Sequence, residues 1–264
     1  MSIIEAIILG IVQGLTEFLP VSSSGHLELA SSLLGATTSE NLLFSIIVHA
    51  ATALSTIVIF RKDILAILTS LLSFKNDDNT HFALKLILSA IPVSLVGFLL
   101  KDHIEELFGG NILLVGIALL FTAGLLLLTY FSKAEGEPVK YWHAIIIGLA
   151  QAVAIFPGVS RSGTTIATAL LAGVDKAKAA RFSFLMALIP ILGAALLETI
   201  DYINSPEEAE AIGAVSLGIG FLAAFLTGLF ACQLMIRIVK RGKLTWFALY
   251  CAIVGLIAIV STFI

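Results

Sequence analysis

Six stretches of the chain run apolar for long enough to cross a bilayer: 42–60, 86–100 with its neighbours, 112–131, 182–200, 213–236 and 246–264. Each predicts a transmembrane helix. Two further stretches, 2–35 and 142–173, are apolar overall but interrupted near their middles by Pro, Gly, Ser and ionisable residues, so neither reads as one clean span. The first is also no signal peptide, because it lacks a basic start and places Glu5 and Glu17 within the apolar region. The apolar run at 64–74, after Arg61, suggests an interfacial helix.

The basic residues test this layout. Thirteen of the 15 Lys and Arg fall in four connections, at 61–85, 132–141, 174–181 and 237–243. The connection at 101–111 holds only Lys101, and 201–212 carries Asp201, Glu207, Glu208 and Glu210 with no basic residue. The positive-inside rule is then satisfied only if 142–173 enters and leaves on the cytoplasmic side, as a re-entrant hairpin or as two short spans. By the same parity 1–35 begins and ends outside, and both termini are outside.

The two broken stretches match each other at an offset of 138. GIVQGLTEFLPVSSSGH from Gly10 aligns with GLAQAVAIFPGVSRSGT from Gly148, identical at seven of 17 positions, among them Gln13/Gln151, Ser22/Ser160, Ser24/Ser162 and Gly25/Gly163. Chance likeness between apolar helices explains a shared Val or Phe, but poorly explains a Gln, two Ser and Gly in register. An internal duplication follows, with halves at about 1–131 and 142–264 of a single membrane domain, 1–264. An odd number of crossings per copy inverts the second. The expected fold is therefore an all-α integral membrane protein with six full transmembrane helices and two opposed re-entrant helical hairpins, an inverted-topology repeat with the hairpin tips meeting near the midplane.

Composition narrows the function classes. Of 264 residues, 59% are hydrophobic and 12% charged, a charged fraction about half that of soluble domains, which excludes a soluble globular protein. The net charge of -3 gives no basic surface for nucleic acid. Cys232 and Cys251 lie inside apolar runs and read as packing residues.

Polar groups collect at the two tips: Gln13, Glu17, Ser22, Ser23, Ser24, Gly25 and His26 in the first, and Ser160, Arg161, Ser162, Gly163, Thr164 and Thr165 in the second. Ionisable groups at membrane depth are costly, which points to function for Glu17, His26 and Arg161. Gln13 and Glu17 are four apart and share a helix face, suited to one metal ion or one water. The segment PGVSRSGTT offers a guanidinium, hydroxyls and backbone N–H groups at a helix start, the parts of a phosphate cradle. In the facing tip, a serine three residues from an imidazole and near a carboxylate can attack phosphorus. Simpler structural readings are favoured elsewhere. Gly213, Gly218, Gly220 and Gly228 read as helix-packing positions, His49 as a satisfied interior histidine, and Glu5, Glu28 and Glu198 as local or interfacial groups.

These motifs resemble those of the undecaprenyl pyrophosphate phosphatase family, the bacitracin-resistance type of bacterial membrane enzyme. Two carry the likeness. One is E/Q-x-x-x-E, here Gln13 to Glu17 followed by FLPVSSSGH; the other is P-G-x-S-R-S-x-x-T, here Pro157 to Thr165 without departure. The resemblance implies hydrolysis of undecaprenyl diphosphate to undecaprenyl phosphate, which recycles the lipid carrier for cell-wall synthesis. It also implies a site open to the outer face of the cytoplasmic membrane and dependence on a divalent cation, Mg2+ or Ca2+. Carried over by position, Ser23 and His26 are the nucleophile and its acid/base partner, with attack by His26 itself left open. Glu17 is catalytic and, with Gln13, positions metal or water. Arg161 binds the diphosphate, with Ser160, Ser162, Gly163, Thr165 and Ser22 completing the substrate-binding set. The expected partners are a polyprenyl diphosphate lipid and membrane lipids, with a homodimer as an open option.

The competing class is a secondary transporter or lipid-phosphate flippase using the same anion site, since opposed broken helices are also a transport architecture. A transporter has no use for a nucleophile. The phosphatidic-acid-phosphatase type of enzyme also needs a histidine six residues after its second arginine, a position held here by Ala167.

Overall fold

The computed structural model describes residues 1–35, 38–108, 111–132, 136–204, 213–242 and 244–263. The acidic connection at 205–212, Lys133 and Lys243 lie outside the described residues, as do the side chains of Lys101, Glu198 and Asp201. Eleven α-helices are described: α1 (Ile3–Thr16), α2 (Ser23–Leu34), α3 (Thr38–Ile59), α4 (Arg61–Leu72), α5 (Asp78–Phe108), α6 (Ile112–Leu128), α7 (Tyr141–Val153), α8 (Arg161–Leu171), α9 (Lys176–Asn204), α10 (Ala214–Arg241) and α11 (Thr245–Ser261).

Local sequence sets the breaks. Ser2 and Glu5 form a capping box at the start of α1, which gives Glu5 the structural part expected of it. The chain then leaves helical geometry at 17–22 and resumes where the Ser22 hydroxyl accepts from the Gly25 N–H at 3.2 Å. In the second broken stretch the Ser160 hydroxyl accepts from the Gly163 N–H at 3.0 Å and starts α8 in the same way. The duplicated S-x-S-G is thus a duplicated N-cap. The starts of α1, α2 and α3 recur at the starts of α7, α8 and α9, each 138 residues on.

Four described helices are long and apolar enough to cross a bilayer, at Asp78–Leu100, Ile112–Phe131, Lys176–Leu197 and Ala214–Arg241. This differs from the expected six. The segment Leu43–Ile59 is followed by a 79° bend into α4, and Thr245–Ser261 is a 17-residue apolar helix, shorter than the other candidates. A large outward apolar surface, with Phe98 85% and Trp246 70% exposed, is what a lipid-facing bundle presents. The chain is a multi-pass membrane protein. Helix α4 turns Leu65, Leu68 and Leu72 outward while burying Ile67 and Ser70, the pattern expected of an interfacial helix.

Helix pairing crosses between the halves. α1 packs on α10, α7 on α5, and α6 on α11. Small residues allow it: a Cβ on Gly10 would lie 2.5 Å from the Gly220 carbonyl oxygen, and one on Gly148 would lie 2.5 Å from that of Ser89. Gly220 and Gly228 sit in such contacts, as expected. Gly213 and Gly218 face open space, which corrects the packing role given to them.

The basic connections gather at one end of the bundle. Arg181 at the start of α9 pairs with Asp63 of α4 at 2.7 Å and lies over the Phe82 ring of α5. Lys85 of α5 lies over the Tyr141 ring of α7, and Lys176 lies beside Gly242 at the end of α10. At the opposite end the Ser216 hydroxyl reaches the Met1 carbonyl. The broken segments at 17–22 and 154–160 meet between these ends.

Candidate active site

Among the described residues, three polar contacts join the tips. The Ser162 hydroxyl donates to the Leu19 carbonyl at 3.1 Å, the Gly158 N–H donates to the Ser24 hydroxyl at 3.3 Å, and Arg161 forms an ion pair with Glu17. Ser24 and Ser162 are equivalent positions of the two copies, so each tip ties itself to the other with the same serine. The meeting of tips expected from the duplication is present.

Glu17 is the centre of the site, with its side chain only 6% exposed. One carboxylate oxygen accepts from Arg161. The other accepts from the Ser23 hydroxyl at 2.6 Å and from the Gln13 amide at 3.0 Å. Gln13 reaches Glu17 because the two are one turn apart on the end of α1, whereas Ser23 reaches it only because the chain reverses at 17–22. The Gln13 amide nitrogen also faces the Thr52 hydroxyl of α3 at 3.5 Å, and its buried Oε1 has no partner among the described residues. A cavity of about 20 Å³ opens beside the Glu17–Arg161 pair, lined also by Thr52, Thr56, Ser162 and Ser183. It has room for about one water molecule.

The expected pairing of Ser23 with His26 is not formed. His26 Nδ1 lies 2.8 Å from the Ser22 carbonyl oxygen, which can only accept, so this nitrogen carries the proton. Nε2 therefore accepts from the Tyr250 hydroxyl at 2.8 Å, and the imidazole stacks on the Tyr250 ring. Three residues on, within the same helix, His26 is turned toward α11 while Ser23 is held back toward α1. The group in reach of the Ser23 proton is Glu17.

The proposed phosphate-binding residues divide in the same way. Arg161 and Ser162 line the cavity. Ser160 is 1% exposed and spends its hydroxyl on capping α8, while its own N–H donates to Thr122. Thr165 is fully buried, donating to the Arg161 carbonyl and sharing a hydrogen bond with Ser183. Ser22 is a buried cap, and Gly163 packs close to Pro20. These four shape the tips from behind.

Several residues near the site were not assigned to it from sequence: His49, Thr52 and Thr56 on α3, Ser183 on α9, and Tyr250 on α11. His49 Nε2 is 3.9 Å from Glu17. A signal was present, since Ser45, His49, Thr52 and Thr56 recur at spacings of four, three and four on an apolar span and so make one polar stripe.

A buried carboxylate that holds a serine hydroxyl and a guanidinium together, deep in a helical membrane protein, defines a membrane protein built to handle an anionic group. Sequence comparison gives the lineage. A family described as bacitracin resistance protein BacA matches residues 6–257, and the chain belongs to it. It is 52% identical to the undecaprenyl-diphosphatase of Christiangramia forsetii over all of this chain and 99% of that one. It is 51% identical to the protein of the same name from Parabacteroides distasonis, over 99% of each chain. The protein of that name from Korarchaeum cryptofilum is 42% identical over 99% of each.

Proposed function

We propose that this protein hydrolyses undecaprenyl diphosphate to undecaprenyl phosphate and inorganic phosphate, recycling a lipid carrier for envelope synthesis. The observation that carries the reading is the Ser23 hydroxyl donated to Glu17 at 2.6 Å, beside Arg161 on the same carboxylate. Family membership and the names of its relatives supply the substrate.

In this reading Arg161 grips the terminal phosphate as a planar fork. Glu17 takes the Ser23 proton as Oγ attacks the terminal phosphorus, the bond to the bridging oxygen breaks, and undecaprenyl phosphate leaves as an anion. Water then attacks the phosphoserine. Its oxygen bonds to phosphorus as the bond to Ser23 Oγ breaks, protonated Glu17 returns its proton to that leaving Oγ, and both protons of the water leave with inorganic phosphate as H2PO4⁻. His26, held by Ser22 and Tyr250, positions the first turn of α2.

A divalent cation, Mg2+ or Ca2+, fits these residues: Glu17 is a carboxylate, and the orphaned Gln13 Oε1 is a buried oxygen donor lacking a partner. When bound, it would offset the charge of the diphosphate. Glu17 and Gln13 would hold it.

The membrane arrangement we propose is a single domain, 1–264, of two inverted copies, about 1–131 and 142–264, with six crossings and two re-entrant hairpins. The 138-residue recurrence of helix starts and the cross-paired helices support it. The basic end would be cytoplasmic, with both termini and the site on the outer side of the inner membrane. The same architecture suits a lipid-phosphate flippase, but the Ser23–Glu17 contact favours hydrolysis.

The test is phosphate release from undecaprenyl diphosphate by detergent-purified protein, with and without EDTA. Release should require a divalent ion and be lost in Ser23→Ala and Arg161→Ala. Absence of release from folded wild-type protein across several metals and prenyl lengths would turn the assignment to transport.

A further inference from the structure

We infer that His49 is a ligand of the divalent cation, completing with Glu17 and Gln13 a site that spans α1 and α3; the inference rests on the cation reading above. His49 Nδ1 lies 2.8 Å from the Ser45 carbonyl oxygen, an acceptor only, and 3.2 Å from the Ser45 hydroxyl; the shorter carbonyl contact places a proton on Nδ1, so the neutral imidazole presents its Nε2 lone pair. That lone pair faces Glu17 Oε2 at 3.9 Å. Two donors sharing an ion through bonds of about 2.0–2.6 Å stand about 3–4 Å apart when they lie on adjacent coordination positions. A ligating histidine typically gives its second ring nitrogen to a carbonyl or carboxylate, and Ser45 provides this.

The third donor is fixed by its neighbours. The Thr52 hydroxyl donates to the His49 carbonyl at 2.9 Å and so has only a lone pair to offer Gln13. With the Glu17 carboxylate also an acceptor, the Gln13 amide must turn its NH₂ toward both. Its oxygen is left buried without a partner among the described residues. Thr52, one turn after His49 on α3, thereby helps to set the orientation of the Gln13 amide. The charge balance points the same way. Glu17 already matches Arg161, so a diphosphate bringing two or more negative charges needs a further positive charge beside it. One imidazole among oxygen donors suits a Mn2+-type ion, with Mg2+ also accommodated.

The probe is Mn2+ added to tag-free, full-length protein in detergent, read by electron paramagnetic resonance. Pulsed spectra of the wild type should show coupling of bound Mn2+ to an imidazole nitrogen. The coupling should vanish in His49→Gln, which keeps an oxygen donor, and persist in His26→Gln. Mn2+ affinity in His49→Leu should fall about tenfold or more. Bound Mn2+ without nitrogen coupling in the wild type, or coupling that survives His49→Gln, overturns the assignment while leaving the cation reading intact. Wild-type protein that binds no Mn2+ and releases phosphate in EDTA overturns both. The wild-type spectrum decides whether nitrogen is bound even if one variant fails to fold.

Discussion

At the scale of single residues, the chemistry turns on which group receives the Ser23 proton. The spacing of Gln13 and Glu17 is legible in the sequence because one helical turn fixes it. The partner of Ser23 is not, because it depends on how the chain reverses at 17–22. A motif places His26 three residues from Ser23, yet both of its ring nitrogens are engaged by Ser22 and Tyr250. The expected kinetic consequence is an asymmetry. Glu17→Gln should lower kcat about 10²–10⁴-fold, the range for loss of a general base. Tyr250→Phe, which frees His26 Nε2 without touching Ser23, should cost much less. A Tyr250→Phe loss equal to that of Glu17→Gln would restore His26 to the proton path.

At the scale of helices, caps and close contacts fix where elements start and how near they come. The Ser22 and Ser160 caps are readable from the repeated motif. The roles of individual glycines are not, since the same residue serves a tight crossing or faces lipid. At Gly14 a Cβ would stand 2.5 Å from the Ala224 carbonyl oxygen of α10, whereas Gly218 has nothing within 4 Å. Gly14→Val should therefore destabilise the protein by about 1–3 kcal/mol, the usual cost of overpacking. Gly218→Ala should leave the melting temperature near wild type. Thermal unfolding of the two variants in the same detergent checks both.

The hinge between α4 and α5 carries a pH dependence. Asp77 accepts from the Thr80 N–H at 3.0 Å and from the Ser70 hydroxyl at 2.8 Å, which hold its carboxyl below the ordinary carboxylate range. A pKa lowered by folding contributes stability above the unfolded value, and that contribution is lost as pH falls through the folded one. Asp77→Ala should lower the melting temperature at about pH 7, with a gap from wild type that closes as pH falls below the ordinary carboxylate range. A gap independent of pH would mean that the hydroxyl and N–H contacts do not depend on the carboxylate charge.

At the scale of the whole molecule, two tips from distant parts of the chain share one site. Cysteines placed at Ser24, which is exposed, and at Arg161, whose side chain is 25% exposed, should both label from the outer side with a membrane-impermeant thiol reagent. Cys232 and Cys251 are buried and should stay silent. Labelling of position 161 only from the cytoplasmic side would break the shared outer cavity, and with it the proposed placement of the site.

By itself the sequence determined the membrane class, the broken stretches, their likeness at an offset of 138 and the residues at their tips, because periodicity, apolar run length and charge placement act locally along the chain. It expected six full spans where four described helices have a full span's length and apolarity, since apolar run length does not reveal the bend after Ile59 or the 17-residue length of α11. Only the tertiary structure decided that Glu17 holds Ser23 and Arg161, that His26 turns to Tyr250, and that His49 and Thr52 of α3 complete the surroundings of Glu17. Those contacts join residues up to 224 positions apart. Their geometry follows from how helices cross and how two loops meet, which a one-dimensional spacing does not encode.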